Sequence, residues 1–230
     1  MAKGWYAVSD LVINGNALDM QLAAFQGRKY KLIAADPPWW YNERNHGDQT
    51  KFGEGASYDL MTTDQIAAMP VAQLTADQCL LTLWATCPLL PDALEVMAAW
   101  DFHFVTVGFV WVKANAGLWE KLRAFVSQLP LFPPDDGQLM RMLDNLAFFG
   151  PGYYTGSNAE LVLFGRRGDA PKHAEGHKAS QMIFAPRGDH SAKPEAMQDR
   201  LEWMYPQLTP RLELFARRER AGWDVFGNEV

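Results

Sequence analysis

Five apolar runs of strand length constrain this chain most: residues 31–35, 79–84, 104–112, 160–164 and 211–216. Most are continuous and not alternating. A strand with one wet face alternates apolar and polar residues, whereas a continuous run suits a strand covered on both faces, as in a mainly parallel sheet. Helical patterns fall between the runs. Thr62-Thr63-Asp64-Gln65 offers a capping box into 66–69. Residues 92–100 carry good helix formers after Pro91, and 194–205 opens on a proline at a permitted first-turn position and stops before Pro206. Strand alternating with helix predicts an α/β fold, a mainly parallel central sheet with helices on both faces.

Residues 117–150 break that rhythm. Leu118, Leu122, Phe125, Val126 and Leu129 share one helical face, and after PLFPPDDG a second stripe follows, Leu139, Met142, Leu143 and Leu146. This predicts a helical hairpin inserted between two strands of a single domain spanning 1–230. Its apolar face is expected to join the core; a self-association surface or a DNA-contacting lid is the alternative.

At 230 residues, nearly half of them apolar, the chain can bury a full core, which excludes a disordered protein. The two cysteines, Cys79 and Cys87, both lie in an apolar stretch and read as buried thiols in a reducing compartment. Without paired histidines they make a structural zinc site unsupported, and no metal is expected. The N-terminus lacks the apolar core of a signal peptide and no run reaches membrane-spanning length, so a cytoplasmic protein is expected. The net charge of −6 gives no global attraction for nucleic acid. Residues 164–193 differ locally, with six Lys or Arg against three acids, and read either as a solvated loop or as a phosphate-contacting one.

One stretch carries chemistry: KYKLIAADPPWWYNE, residues 29–43. Asp36 stands at the C-terminal end of an apolar run, where open α/β sheets bind ligands. Pro37 and Pro38 lack N–H donors but keep carbonyl acceptors on a stiff scaffold, and Asp36 adds carboxylate acceptors. Trp39, Trp40 and Tyr41 offer faces for a flat ring, worth about 1–3 kcal/mol for a nucleobase. Fixed acceptors beside a stacking face suit an exocyclic amine. Such an amine is a poor nucleophile because its lone pair is delocalised into the ring. Acceptors that hold both N–H groups favour pyramidal nitrogen and stabilise the charge that grows there during attack. The plain alternative is a turn beside core tryptophans.

Further motifs follow in order: YDLMTTDQI (58–66), LLTLWAT (80–86), VWVKAN (110–115), GSNAELVLFGRRG (156–168), DHSAKPE (189–195) and RLELFARRERAGWDVFGNE (211–229). With DPPW at 36–39 they resemble the MT-A family of enzymes that methylate the exocyclic nitrogen of adenine, over residues 28–229 apart from 117–150. The resemblance implies a Rossmann-like fold using S-adenosylmethionine, with the DPPW half preceding the cofactor half. It implies that Asp36, Pro37, Pro38 and Trp39 hold the target amine and base, with Asp36 also near the cofactor. Lys193 would meet the cofactor carboxylate, Phe215 and Arg217 would flank the cofactor, and Asn228 and Glu229 would take its ribose hydroxyls. Tyr58, Lys113 and Glu160 match positions near the target nucleotide, and Trp40 and Tyr41 could receive a flipped adenine. Duller alternatives stand beside these: Lys193 as a surface lysine, Glu160 and Glu213 as strand-edge carboxylates, Phe215 as core.

The loop 40–57 is longer and richer in glycine than a minimal family member needs, and the acid expected near the cofactor adenine has three candidates, Asp19, Asn14 and Asn16. The reading is an N6-adenine DNA methyltransferase. The alternatives are an RNA adenosine methyltransferase and a non-catalytic partner subunit of the same fold that binds nucleic acid. DNA is favoured by the short chain. A homodimer or a partner subunit is compatible with the sequence, and a membrane partner is not expected.

Overall fold

A computed structural model describes residues 25, 27–40, 60–115, 117–128, 134–150, 152, 154–171, 177–188 and 192–227. Its centre is a seven-stranded sheet in the order β5-β3-β4-β2-β1-β6-β7. The strands are β1 (Tyr30–Ala35), β2 (Thr75–Thr86), β3 (His103–Ala114), β4 (Ala159–Arg167), β5 (Met182–Pro186), β6 (Arg211–Leu214) and β7 (Asp224–Phe226). β1 runs parallel to both its neighbours, β2 and β6, while β3 pairs with β5 and β6 with β7 in the same sense. The exception is β4, antiparallel to both β2 and β3. The sheet is therefore mainly parallel, as the continuous runs predict, with one reversed strand in its interior.

Both faces are covered, and the period of two along β1 shows how. Ile33 and Ala35 point into one core, shared with Leu81, Leu83 and the helices α1 (Thr63–Ala67) and α2 (Leu90–Ala99). Leu32 and Ala34 point into the other, with Trp84, Trp111 and Val162, under α5 (Ala196–Met204). Thr62 caps α1 through the predicted box: its hydroxyl accepts from the Gln65 N–H, and the Gln65 side chain accepts from the Thr62 N–H. Trp100, at the end of α2, is fully buried and donates its indole N–H to the Ile66 carbonyl at 2.9 Å, joining the two helices.

The chain leaves β3 into α3 (Leu118–Gln128) and returns through α4 (Asp136–Leu146). Two helices stand where the hairpin is expected, but their apolar stripe does not enter either main core. Leu118 and Leu146 close on Ala114, with Leu122 and Met142 beside them, as a separate small cluster. Val126 and Leu143 stay exposed. Cys79 is buried, which pushes its thiol up to about 12, but Cys87 is exposed. The expectation of two buried thiols fails at Cys87 because β2 ends at Thr86, and the next residue begins a surface 3-10 turn.

Candidate active site

Asp36 follows directly on β1, an interior strand whose neighbours β2 and β6 lie on opposite sides of it. Its side chain continues the parity of Leu32 and Ala34, so it belongs to the α5 side of the sheet. The same parity governs three more residues at this end. Lys113 follows Phe109 and Trp111 on β3, Glu160 precedes Val162 on β4, and Glu213 pairs with Ala34 across β1 and β6. Lys193 arrives from the segment just before α5. Four of these side chains form one alternating chain of charge. The Lys193 ammonium lies 2.9 Å from Asp36 and 3.3 Å from Glu160, and Lys113 lies 2.7 Å from the other Glu160 oxygen.

The floor beneath them is aromatic. Lys193 sits 5.5 Å from the Trp84 ring and Lys113 5.5 Å from the Trp111 ring. Burial over that floor pushes the Asp36 carboxyl up, and the Lys193 ammonium offsets only part of the rise. Burial presses on Glu160 in the same direction, but the ammoniums of Lys193 and Lys113 together outweigh it and hold Glu160 below its usual range. Burial disfavours the Lys193 charge, and the carboxylates of Asp36 and Glu160 outweigh that too, leaving its pKa raised. The arrangement thus separates two carboxyls, a well-compensated Glu160 and a weaker acid at Asp36.

The two prolines are pinned from both sides. The Pro37 carbonyl accepts from the Trp39 N–H at 2.9 Å, and the Pro38 carbonyl accepts from the Met61 N–H at 2.8 Å. The Trp40 N–H in turn donates to the Met61 carbonyl at 2.9 Å, so the turn is bridged to the segment that caps α1. Each proline carbonyl keeps a second lone pair for a ligand. Trp39 is buried in the α1 and α2 core, and its indole N–H donates to the Trp84 carbonyl at 3.0 Å. It anchors the turn from below. Trp40 is exposed and presents an open ring.

Phe215 and Arg217 follow β6 on the side of β1. Phe215 has φ 62°, a left-handed conformation uncommon for an aromatic residue. The turn closes against the end of β7, where the Ala216 N–H donates to the Phe226 carbonyl at 2.9 Å. A Cβ on Gly227 would stand 1.9 Å from the Ala216 carbonyl oxygen, so only glycine permits this approach. The following segment is tied to α5 by Arg218 to Glu195 and by Arg220 to Asp199 and Glu202, each at 2.6 Å. Arg217 is near enough to Asp36 to draw its pKa down.

Glu213 is the group that the sequence undervalued, read there only as a strand-edge carboxylate. Its Oε2 is buried without a hydrogen-bond partner. Burial pushes its carboxyl up to about 7, with Arg218 and a hydrogen bond to Gln198 pulling the other way. A buried oxygen that lacks a donor, one strand from Asp36, is what a bound polar group would complete. Asp36 and Glu213 as acceptors, with Lys193 and Arg217 as cations, suit a ligand bearing both an ammonium and a carboxylate, and they fit the amino-acid end of S-adenosylmethionine.

Asp36, Lys193, Glu160 and Lys113 are thus brought together, and Phe215 and Arg217 lie beside them. Tyr41, Tyr58, Asn228 and Glu229 lie outside the described residues, as do most of loop 40–57 and the three candidates for the cofactor adenine. Among the described residues of the locally basic stretch, Arg167 and Arg187 have separate partners. Arg167 pairs with Asp101 at 3.0 Å and donates to the Ala72 carbonyl and the Thr75 hydroxyl at the opposite end of the sheet, while Arg187 stacks 4.1 Å over Phe148.

The MT-A70 family profile matches residues 30–124 and 145–229. The chain is 29% identical to the Type II methyltransferase M.MunI of Mycoplasma sp over 229 residues, covering 94% of this chain and 84% of that protein. It is 26% identical to the N6-methyladenosine RNA methyltransferase MTA1 of Pyricularia oryzae, covering 87% of this chain and 47% of that protein. The N(6)-adenine-specific methyltransferase METTL4 of Homo sapiens is also 26% identical, with 88% of this chain and 38% of that protein covered.

Proposed function

The chain belongs to the MT-A70 family, and from that premise we propose that it transfers the methyl group of S-adenosylmethionine to the exocyclic N6 amine of adenine in DNA. The observation that carries the reading is Asp36: a carboxylate at the end of an interior parallel strand, on a doubly pinned Pro-Pro turn, and paired with Lys193 at 2.9 Å. DNA is preferred because M.MunI, a Type II methyltransferase, is matched over most of its length, whereas the RNA enzyme is matched over less than half. One methyltransferase domain with the hairpin as an insertion accounts for the family match on either side of 125–144.

Bound beside Asp36 and Lys193, S-adenosylmethionine would supply an electrophilic methyl group on its sulfonium. The chain's own residues do the rest. The Asp36 carboxylate and the free lone pair of the Pro37 carbonyl accept the two N–H groups of the amine, which localises its lone pair. They stabilise the positive charge that develops on nitrogen as the N–C bond forms and the C–S electron pair goes to sulfur, an effect larger in the transition state than before it, and the methylated amine then releases one N–H proton to water. Holding amine and methyl in line contributes up to about 7–11 kcal/mol. Lys193 takes the cofactor carboxylate, Phe215 and Arg217 flank the cofactor, and Asn228 and Glu229 serve its ribose. Trp40, Tyr41 and Tyr58 serve the base, with Glu160, itself paired with Lys113, holding Lys193, and Lys113 and Glu160 lining the approach of the nucleotide. Trp39 acts from below, by fixing the turn.

The test is transfer of labelled methyl groups to unmethylated duplex DNA and, separately, to RNA, with Asp36→Ala alongside. Label on DNA adenine, reduced by about 10²–10³ or more in the variant, supports the reading. Label on RNA alone moves the substrate, and failure of the wild type to bind the cofactor sinks the enzyme.

A further inference from the structure

The family profile leaves out residues 125–144, the distal part of the α3–α4 hairpin. The shared chemistry therefore does not need that part, yet the hairpin springs from the catalytic end of the sheet. Lys113, one residue beyond the β3–β4 pairing that ends at Val112, holds Glu160, and its carbonyl accepts from the Phe148 N–H at 2.7 Å where the hairpin returns. Between α3 and α4 opens a cavity of about 530 Å³, lined by Lys121, Gln138, Arg141, Met142, Asn145 and Leu146. Its lining holds two cations, two amides and no carboxylate, on a chain whose net charge is −6. Among the described residues neither Lys121 nor Arg141 is in an ion pair, whereas Arg28, Arg167, Arg218 and Arg220 all are. Three exposed aromatic rings lie in the hairpin or shortly after it in the chain: Trp119 at 58% exposure, Phe149 at 82% and Tyr154 fully exposed. Unpaired cations and open rings on one segment of the chain match a phosphate backbone and its bases.

We propose that the α3–α4 hairpin is the duplex-DNA docking element of this chain, with Lys121 and Arg141 each neutralising a phosphate beside the target adenine. The inference rests on the proposed DNA reaction. It sets two cations and two amides on one face of a hairpin whose root lies at the end of the sheet that carries Asp36. Phosphate contacts set register without reading sequence, so the exposed rings and the amides of Gln138 and Asn145 are left to meet the bases.

The test measures binding of a fluorescent unmethylated duplex by anisotropy across a salt series, for wild type, the double variant Lys121→Ala/Arg141→Ala, and Lys31→Ala, an exposed cation near the start of β1. Calorimetric binding of S-adenosylmethionine checks that each variant is folded. The double variant is expected to bind DNA roughly tenfold or more weakly near 0.1 M salt, with the slope of log affinity on log salt reduced by about two, each phosphate contact contributing about 0.9. Cofactor binding stays intact, and Lys31→Ala keeps the wild-type slope. If wild type methylates DNA adenine while the double variant binds with unchanged affinity and slope, the hairpin assignment is overturned and the reaction stands. If wild type binds no duplex at any salt, both are overturned.

Discussion

At the scale of single residues, the site turns on unequal compensation of two carboxyls. Glu160 faces two ammoniums and is held low; Asp36 shares one of them and is raised by burial. Asp36 stabilises the charge growing on nitrogen in full only when ionised, since a protonated carboxyl is a neutral and weaker acceptor. Methyl transfer should therefore fall on acidification with an apparent pKa above the ordinary aspartate value of about 3.9. Glu160 contributes to that rise, since its charge repels the Asp36 carboxylate. In Glu160→Gln the acid limb should move to lower pH, because Lys193 then serves Asp36 alone; a pH–rate profile that stays in place would contradict the coupling. Glu213 gives a second prediction. Its folded pKa, about 7, lies above the unfolded value of about 4.3. Its contribution to stability is then complete below the unfolded pKa and is lost as pH rises through about 7. Glu213→Gln should remove that loss, so the cofactor-free variant should be more stable than wild type above neutrality by on the order of 2 kcal/mol, with little gain near pH 4. Denaturant melts at the two pH values check it.

At the scale of elements, the turn after β1 depends on Trp39 as a strut. Trp39→Phe removes the donor to the buried Trp84 carbonyl, and it should cost about 1–3 kcal/mol of stability while leaving the KM for nucleic acid near wild type. A large rise in KM with unchanged stability would return Trp39 to the base-stacking role that the sequence suggests. The contrast shows what a motif can and cannot say. DPPW announces acceptors at a strand end, and the acceptors are there. Which tryptophan is buried depends on the neighbouring α1 and α2, and no local pattern around residue 39 encodes it. The charge chain, by contrast, was open to a period-two reading. Asp36, Lys113 and Glu160 each extend the parity of an apolar run on the same sheet face. Glu213 obeys the same rule, but its orphaned oxygen depends on burial under α5, which strand parity does not measure.

At the scale of the whole molecule, the apolar runs foretold an α/β sheet covered on both faces, and that is the architecture found. They carry no direction, so the reversal of β4 between β2 and β3 was not legible, although it brings Glu160 from the start of its strand to the end of the others. The edge strands β5 and β7 escaped notice for a different reason. Met182 and Phe184 alternate with Ile183 and Ala185 on a half-exposed edge, and β7 has only three residues, too short to show a period. The hairpin was legible as two amphipathic helices, but its separate small core was not, since a stripe shows that a face is buried without showing against what. No helix among the described residues is long and apolar enough to cross a membrane. Sheet, charge chain and hairpin root all converge on the end of β1 that carries Asp36. The direct test is to incubate the purified chain with S-adenosylmethionine and unmethylated duplex DNA, digest the product to nucleosides, and analyse them by mass spectrometry beside Asp36→Asn. The account predicts N6-methyldeoxyadenosine from wild type and a loss of at least about a hundredfold in the variant; methylation of another base, or equal product from the variant, would contradict it.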